Sequence, residues 1–274
     1  MSEVLSITRK EVRDALASRW LLLYAILFAV LALSISYIGQ RNIGSVGFDN
    51  FSRTTAGLLN LCLIMAPLVA VSLGAGAIAG ERERGTLTYL LAQPVSRFDV
   101  LLGKFAGLVA AVGLATVAGF GVAGIVIALF AHSMDAGTYV MLMLLVVALV
   151  AVMTGIGLLA SVASSTRAQA LAIGLLVWFA AVLLFDLVLI GLVTSSSLGG
   201  ASLLVLLLLN PVEIVRVLAI INLEPDLQVL GPFGSYILEE LGTTGATAVL
   251  LGSLAAWAVV PFAAAAWLFN RSDA

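Results

Sequence analysis

The chain has 274 residues, of which 62% are hydrophobic and 10% are charged, and its formal net charge is −2. A soluble domain carries roughly 25% charged residues, so this chain cannot bury its apolar surface against itself alone. The composition therefore predicts a membrane protein with lipid as part of its solvent, and it excludes an ordinary soluble domain. The single cysteine, Cys62, lies within an apolar run, so neither an intramolecular disulfide nor a cysteine metal cluster is expected.

Residues 1–19 are predicted to form an amphipathic helix that lies in the plane of the membrane. At about 100° per residue the apolar positions share one stripe of a helical wheel: Val4, Leu5, Val12, Ala15 and Leu16. The basic residues Arg9, Lys10 and Arg13 lie beside and opposite that stripe, as is typical of an interfacial helix. Because the stripe is short, a simple basic tail remains the alternative.

Six apolar runs are long enough to cross a bilayer, which requires roughly 20 residues in a helix. They are Trp20–Ile38, Leu58–Ala79, Phe105–Ala131, Thr138–Ala163, Ala168–Val193 and Thr247–Phe269. The runs predict an all-α integral membrane protein in which residues 1–274 form a single transmembrane domain. Glycines four residues apart predict close approach of helix backbones in lipid: Gly76 and Gly80, and Gly103 and Gly107.

The distribution of basic residues predicts that both termini are cytoplasmic. Ten Lys and Arg residues fall in the N-terminal segment, the 80–104 and 164–167 loops and the tail, whereas only Arg41, Arg53 and Arg216 fall in the alternate segments. Cytoplasmic loops carry the excess of Lys and Arg, so the first set is assigned to the cytoplasm. We expect a multi-pass protein of the cytoplasmic (inner) membrane.

The segment 80–104 is the longest well-charged stretch between two apolar runs. It begins with alternating charges and continues with a short apolar patch: Glu81, Arg82, Glu83 and Arg84, then Leu87, Tyr89, Leu90 and Leu91. Pro94 ends the preceding helix, because proline lacks the N–H and restricts the residue before it. Ser96 followed by Asp99 predicts a capping box that starts a new helix. The segment is therefore predicted to form a helix, a turn and a helix start at the membrane surface.

This segment resembles the pattern found in permease subunits of ABC-2 type ABC transporters. The matching residues are Glu81, Glu83, Gly85, Thr86, Leu87, Leu90, Leu91, Pro94, Arg97, Gly103 and Lys104. Thr88 departs from it, since many members have Glu there. The resemblance implies the six-span fold of the type V exporters, with an N-terminal interfacial helix and a coupling helix between spans 2 and 3 that contacts a separate cytoplasmic ATPase.

The resemblance also implies which residues contact that ATPase. The expected contact set is Glu81, Arg82, Glu83, Arg84, Gly85, Thr86, Leu87, Tyr89, Leu90, Leu91, Pro94 and Arg97, with the apolar residues as anchor and the charged residues as rim. ATP and Mg²⁺ would be bound by the ATPase, because Gly103-Lys104 lacks the upstream glycine loop that cradles phosphates. No cofactor is expected on this chain, and nucleic acid is not an expected partner.

The segment 194–246 differs from the other connections. The apolar run Leu203–Leu209 is too short to span, and Asn210-Pro211 begins a second helix-like stretch, Val212–Leu223, with proline at its first position. The run is either one arm of a re-entrant hairpin or the upper part of a core. We favour the hairpin, because members of the resembled family have re-entrant helices before the last span. Glu213 and Arg216, three residues apart on that helix, are expected to pair.

Asp186 is the one carboxylate within a predicted span. Its position, seven residues before the end of the fifth run, places it about 10 Å below the outer edge of the membrane. A charge at the bilayer centre costs roughly 2.5–3.5 kcal/mol, so the side chain should face the bundle or a wet cavity. It is predicted to act in coupling or gating or, equally, to make a hydrogen bond between helices.

No catalytic or metal site is predicted. The chain lacks the H-E-x-x-H and G-x-S-x-G motifs, and the lone His132 lies with Asp135 in a short external turn. The thioethers of Met141, Met143 and Met153 suggest a conceivable Cu(I) path, but methionine is also ordinary core filler. Core packing is the favoured interpretation.

Two stretches, Leu176–Val193 and Leu206–Leu218, resemble a narrower group, the permeases of the Nos systems that mature nitrous-oxide reductase. That resemblance implies a homodimer of this subunit, two ATPase copies and an extracytoplasmic partner, in service of the copper–sulfur centre of the reductase. The expected docking residues for the external partner are Asn210, Pro211, Glu213, Arg216, Glu224 and Asp226.

Two other classes of function remain. One is a general ABC-2 exporter of a lipid, drug or ion; the other, a membrane enzyme, is disfavoured by the absence of a catalytic motif. Neighbouring genes for a copper-site reductase and a periplasmic repeat protein would distinguish the Nos-type permease from the exporter. The transported substrate, if any, does not follow from the sequence.

Overall fold

The computed structural model describes residues 2–41, 50–130, 136–195, 199–223 and 232–271, which are almost entirely helical and contain no strand. The first seven helices are α1 Ser2–Leu16, α2 Arg19–Arg41, α3 Asn50–Ala77, α4 Ala79–Glu83, α5 Thr86–Leu91, α6 Arg97–Phe130 and α7 Ala136–Ala163. The remaining helices are α8 Arg167–Phe179, α9 Phe185–Ser195, α10 Gly200–Leu208, α11 Pro211–Leu223, α12 Pro232–Tyr236 and α13 Gly242–Arg271. Two π-helical turns, Ala180–Leu184 and Ile237–Leu241, interrupt the helical path before α9 and before α13.

Five of the described helices are long and apolar enough to cross a membrane, and they correspond to predicted spans 2 to 6. The helix of the third predicted span is longer than its apolar run, because α6 begins at Arg97, eight residues before Phe105. The first predicted span lies in α2, which passes the same test only together with α1, and these two helices meet at 62°. The described residues thus contain five to seven candidate spans, as expected for an all-α membrane protein.

Helix α1 packs against α6, in addition to meeting α2 at an angle. Glycine makes this possible, since a Cβ added to Gly103 would lie 2.7 Å from Ile7, and one added to Gly107 would lie 2.5 Å from the Glu11 Cβ. The close approach predicted at this glycine pair is confirmed. Of the predicted apolar stripe, Ala15 is buried in the bundle and Leu5 and Leu16 are exposed, so the interfacial placement stays a prediction, and α1 also turns Glu11 inward.

The core of the bundle is formed where α3 and α7 cross. Gly74 and Gly157 face each other there, and a Cβ on Gly157 would lie 2.5 Å from the carbonyl oxygen of Val71. Small residues at such a crossing let two helix backbones approach closely in lipid. The other predicted pair, Gly76 and Gly80, leaves room for the side chain of Arg167 rather than for a helix backbone.

Helices α10 and α11 form a hairpin with a bend of 120° between them. Asn210 caps α11, because its Oδ1 accepts the N–H of Val212 at 3.0 Å, and Pro211 is the first helical residue, as predicted. The inward face of α11 is buried against α7 and α13. The bend is the geometry of a re-entrant loop or a broken span, which agrees with the hairpin expected from the sequence.

Candidate functional site

The helix is interrupted at Ile78, between α3 and α4, and a hydroxyl from another span satisfies the backbone at that interruption. The N–H groups of Ile78 and Ala79 both donate to Ser161 Oγ of α7, at 2.9 and 2.8 Å. Ser161 is fully buried, so water does not replace it. An unpaired buried N–H costs about 1–3 kcal/mol, and this contact therefore fixes where the charged segment leaves the bundle.

Two consecutive charged residues of α4 bind two consecutive helix ends. Arg82 Nη1 donates to the carbonyl oxygens of Val162 and Ser164 at the C-terminus of α7. Glu83 Oε2 accepts the N–H of Arg167, the first residue of α8, at 2.9 Å. A cation at a helix C-terminus and an anion at a helix N-terminus each complement the helix dipole. The sign alternation noted in the sequence thus matches the polarity of the α7–α8 turn.

Glu81 belongs to a buried ionic cluster that joins three helices. Lys104 Nζ of α6 lies 2.6 Å from Glu11 Oε1 of α1 and 2.7 Å from Glu81 Oε1 of α4. The Lys104 side chain is 2% exposed, and the two carboxylates are 13% and 12% exposed. The cluster contains two carboxylates for one ammonium, and Glu81 Oε2 has no hydrogen-bond partner among the described residues. Lys104 therefore holds α1 and α4 to the same point of the third predicted span.

The apolar patch of the segment divides into a buried and an exposed part. Leu87 is buried with Leu101, Leu158 and Phe269 inside this chain, so it does not present a surface to a partner here. Tyr89 is 80% exposed, while Leu90 packs partly against the same cluster. The expectation that Glu81 and Leu87 lie at a partner surface is corrected, because the chain uses both side chains internally.

The backbone of the segment follows the predicted path. Gly85 joins α4 to α5 with φ of +70°, a conformation that strains any residue with a Cβ. After the exposed Pro94, Ser96 Oγ accepts the N–H of Asp99 at 3.0 Å, which confirms the predicted cap on α6. Arg97 donates to the carbonyl oxygen of Phe269 at 2.9 Å, so the segment also reaches the end of α13.

A second charged network lies at the other end of the bundle, about 28 Å along the helix from Arg167. Arg216 of α11 binds both carboxylate oxygens of Asp186 in α9, at 2.9 and 3.3 Å. Glu213 lies 2.6 Å from the same guanidinium, which confirms the expected pairing along α11. Asp186 thus makes a contact between helices, one of the two predicted roles; coupling or gating stays a prediction.

A π-helical turn supports this network. The turn Ala180–Leu184 changes the hydrogen-bond pattern just before Asp186, and the carbonyl oxygen of Ala181 accepts Asn210 Nδ2 at 2.7 Å. Such bulges free carbonyl groups and are frequent at functional sites. Asn210 therefore ties the bend of the hairpin to the fifth predicted span at the point where that helix is irregular.

Most of the expected docking residues do not present an external surface. Asn210, Pro211 and Glu213 are buried within the bundle, and Arg216 is engaged by two carboxylates. Their placement as surface docking residues is corrected, because the chain itself buries the first three and holds Arg216 in ion pairs. The other two, Glu224 and Asp226, lie outside the described residues.

The described residues contain no group of three or more His, Cys, Asp and Glu side chains that could hold a metal ion. Met153 is fully buried, and Met141 and Met143 pack against the same apolar core. This placement favours core packing over a metal path. His132 and Asp135 lie outside the described residues.

The ABC-2 family transporter profile matches residues 5–274, which is almost the full chain. The chain belongs to the ABC-2 family. Among its relatives, the probable ABC transporter permease protein NosY of Pseudomonas aeruginosa is 38% identical over 282 aligned residues, covering 99% of both chains. The protein of that name from Stutzerimonas stutzeri is 38% identical over 244 residues, covering 84% of this chain and 86% of its own. The chain is thus a membrane-spanning permease subunit of an ABC transporter.

Three residues that organise this ABC-2 permease were not identified as site residues from the sequence. Ser161 and Glu11 look like ordinary members of a span and of an amphipathic helix, and Lys104 was noted only as part of the motif. Ser161 contacts Ile78, which lies 83 residues away in sequence, and Lys104 and Glu11 lie 93 residues apart. Glu11 did carry one signal, because a carboxylate between the inward-facing positions of α1 needs a cation.

Proposed function

We propose that the exposed face of α4–α5 contacts a separate cytoplasmic ATPase of the NosF type, which binds the ATP and Mg²⁺. On this proposal both termini of the permease are cytoplasmic, the subunit works as a homodimer surrounded by lipid, and it has no catalytic activity of its own. Membership of the ABC-2 family supports the ATPase partner. The gathering of α1, the α4–α5 segment, the α7–α8 turn and the end of α13 at one end of the bundle supports the orientation.

The main support for this proposal is that the segment 80–104 is attached to several spans while Tyr89 stays exposed. Arg82, Glu83 and Arg97 each bind the end of a different helix. Leu87 is buried in an apolar cluster with residues of α6, α7 and α13. A force applied to α5 would therefore reach spans 3 to 6 through short, well-packed contacts. Tyr89, as an exposed aromatic side chain, has the character of an interface anchor.

The proposal is tested by co-purifying the cognate ATPase with permease variants from membranes. Tyr89→Ala should weaken capture of the ATPase about thirtyfold, as expected for the loss of an anchor worth about 2 kcal/mol. Leu5→Ala is the matched control, because Leu5 is an exposed apolar residue at the same end of the bundle. Undiminished capture by Tyr89→Ala, or equal loss with Leu5→Ala, would place the contact elsewhere.

For the cellular role, we propose that the permease serves maturation of the copper–sulfur centre of nitrous-oxide reductase, by moving a small cargo or by transmitting ATP-driven motion to a NosD-like external protein. The two NosY relatives support this assignment. Cells that lack the gene should accumulate reductase without the copper–sulfur absorption bands, and the wild-type gene should restore them. Normal bands in the deleted strain would favour a general ABC-2 exporter.

The external partner is proposed to bind the hairpin end of the bundle, with the connection 224–230 as its contact. The burial of Asn210, Pro211 and Glu213 supports a rigid base beneath that contact rather than a direct role for them. A Gly/Ser linker in place of residues 224–230 should abolish capture of the external protein and leave ATPase capture intact. If both partners are still captured, the docking proposal is wrong.

A further inference from the structure

A cavity of about 560 Å³ lies at the end of the bundle that carries the charged segment 80–104, here named the coupling segment after its proposed role. Its walls come from α1, α3, α4, α6 and α8, and Trp20 of α2 also lines it. Cavities of this size are typical of sites that bind small ligands. Tyr89, the proposed anchor of the ATPase contact, does not line it, whereas Arg84 at the end of α4 does.

The cavity has a charged end and an apolar end. Arg167, Leu171 and Leu175 line it at successive turns of α8, so its cationic and apolar parts are about 12 Å apart along the helix. Helix α3 repeats this order, with Gly76 beside the Arg167 guanidinium and Leu68 two turns further into the bundle. The two walls match the layout of an amphiphile, with the head at one end and the chain at the other.

The charged end has an excess of positive charge. Its cations are Lys10, Arg84, Lys104 and Arg167, and its carboxylates are Glu11, Asp14 and Glu81. Lys104 is held by Glu11 and Glu81, whereas the side chains of Lys10, Arg84 and Arg167 form no ion pair within 4.0 Å among the described residues. The lining therefore carries one net positive charge, four cations against three carboxylates, and three of its cations are not held in an ion pair.

We propose that this cavity binds an anionic phospholipid of the cytoplasmic leaflet, with its phosphate at Arg84 and Arg167 and one acyl chain along Leu171 and Leu175. The proposal goes beyond the ATPase contact and rests on the cytoplasmic orientation of α1. Trp20, which lines the cavity and is largely exposed, suits the headgroup level, where amphipathic rings concentrate. The bound lipid would fill the space between α1 and α8 and hold the interfacial helix against the span.

Native mass spectrometry of the purified permease tests the site with phosphatidylglycerol and, for comparison, phosphatidylcholine of the same chains. Phosphatidylglycerol should be retained preferentially. The variant Arg84→Gln/Arg167→Gln should bind it about thirtyfold more weakly, since each cation near an anionic lipid surface contributes about a fivefold preference. Leu171→Trp, which leaves every charge in place and narrows the apolar end, should also reduce retention.

Arg9→Gln/Arg13→Gln is the matched control, because both residues are exposed cations of α1 that do not line the cavity. It should retain phosphatidylglycerol like the wild type, and circular dichroism should show all variants folded. Equal retention of phosphatidylcholine, or unchanged binding by Arg84→Gln/Arg167→Gln, overturns the proposal. If glycerol phosphate displaces bound phosphatidylglycerol as effectively as added lipid does, the cavity is a site for a free phosphate instead. A lipid-free dimer would assign the cavity to a second copy.

Discussion

The two ends of the bundle hold their charged residues in different ways. In the coupling segment, Glu81, Arg82 and Glu83 reach α6, the end of α7 and the start of α8, one helix each. At the hairpin end, Arg216 collects Asp186 and Glu213 into one compact network between α9 and α11. The first arrangement distributes its contacts over the bundle, and the second concentrates them at one joint.

This difference bears on how motion would pass through the molecule. Displacing α4 changes the contacts of three spans at once, so the coupling segment is attached to the bundle as a whole. The charged side chains of the hairpin, in contrast, reach one place, Asp186 after the π turn, while its backbone is also held by Trp257 of α13, which donates to the carbonyl oxygen of Leu208 at 3.0 Å. We infer that the coupling segment acts on the bundle as a whole and that the ionic network of the hairpin follows the fifth predicted span.

The largest effect is expected when the central cation of the coupling segment, Lys104, is removed. Lys104→Met leaves Glu11 and Glu81 buried without a partner, and breaking a buried ion pair from one side costs about 3–5 kcal/mol. The variant should unfold at a much lower mole fraction of SDS than the wild type in mixed micelles, as followed by circular dichroism.

Neutralising the whole cluster is the control for this prediction. Replacing a buried ionic cluster entirely is often nearly neutral, because no uncompensated charge remains. The triple variant Lys104→Met/Glu11→Gln/Glu81→Gln should therefore recover most of the lost stability. A single variant as stable as the wild type would show that the cluster does not hold α1 and α4.

The next largest effect is expected at Ser161. Ser161→Ala removes the common acceptor of two backbone N–H groups, and leaving them unpaired should cost about 2 kcal/mol. Ser164→Ala is a matched control, since that buried hydroxyl donates only to Ala160 in its own helix. The same SDS titration should separate the two variants; equal stability would mean that the helix interruption at Ile78 is fixed by packing alone.

At the hairpin end, the quantity to measure is the interaction energy between Asp186 and Arg216. A double-mutant cycle of Asp186→Asn and Arg216→Met should give a coupling energy of about 1–2 kcal/mol, because the bidentate contact is charge-assisted but partly exposed. The cycle of Asp186→Asn with Lys104→Met should give none, since those residues lie at opposite ends. Coupling in the second cycle and none in the first would reverse the comparison.

The sequence predicted the elements better than the contacts between them. Apolar runs predict spans because lipid demands long helices, and the runs from Leu58 to Phe269 all coincide with candidate spans. Local signals also succeeded: Ser96 caps α6, Pro211 begins α11, and Glu213 pairs with Arg216. Each of these rests on residues within four positions of one another.

The partners of Lys104, Ser161 and Asp186 could not be predicted, because they depend on how distant helices pack. Every contact of this kind joins residues at least 23 positions apart. For the same reason the sequence placed Glu81 and Leu87 at a partner surface, where a charged, apolar-patched loop would ordinarily present them. Only the packed bundle shows that both side chains point inward.

The smallest effect, and the one that best separates the two kinds of charge, is expected at Glu83. Its carboxylate is exposed and accepts the first N–H of α8, so Glu83→Gln should destabilise the protein by only about 0.5 kcal/mol. High salt should remove that difference, because exposed charges are screened within about 3 Å at 1 M salt, whereas the Lys104 cluster is shielded from solvent. Arg9→Gln is the control, as this exposed charge of α1 does not line the cavity and makes no contact with a helix end among the described residues. If the Glu83 effect persists in salt, or if the Lys104 effect disappears in it, the two sites do not differ in burial as the structure has them.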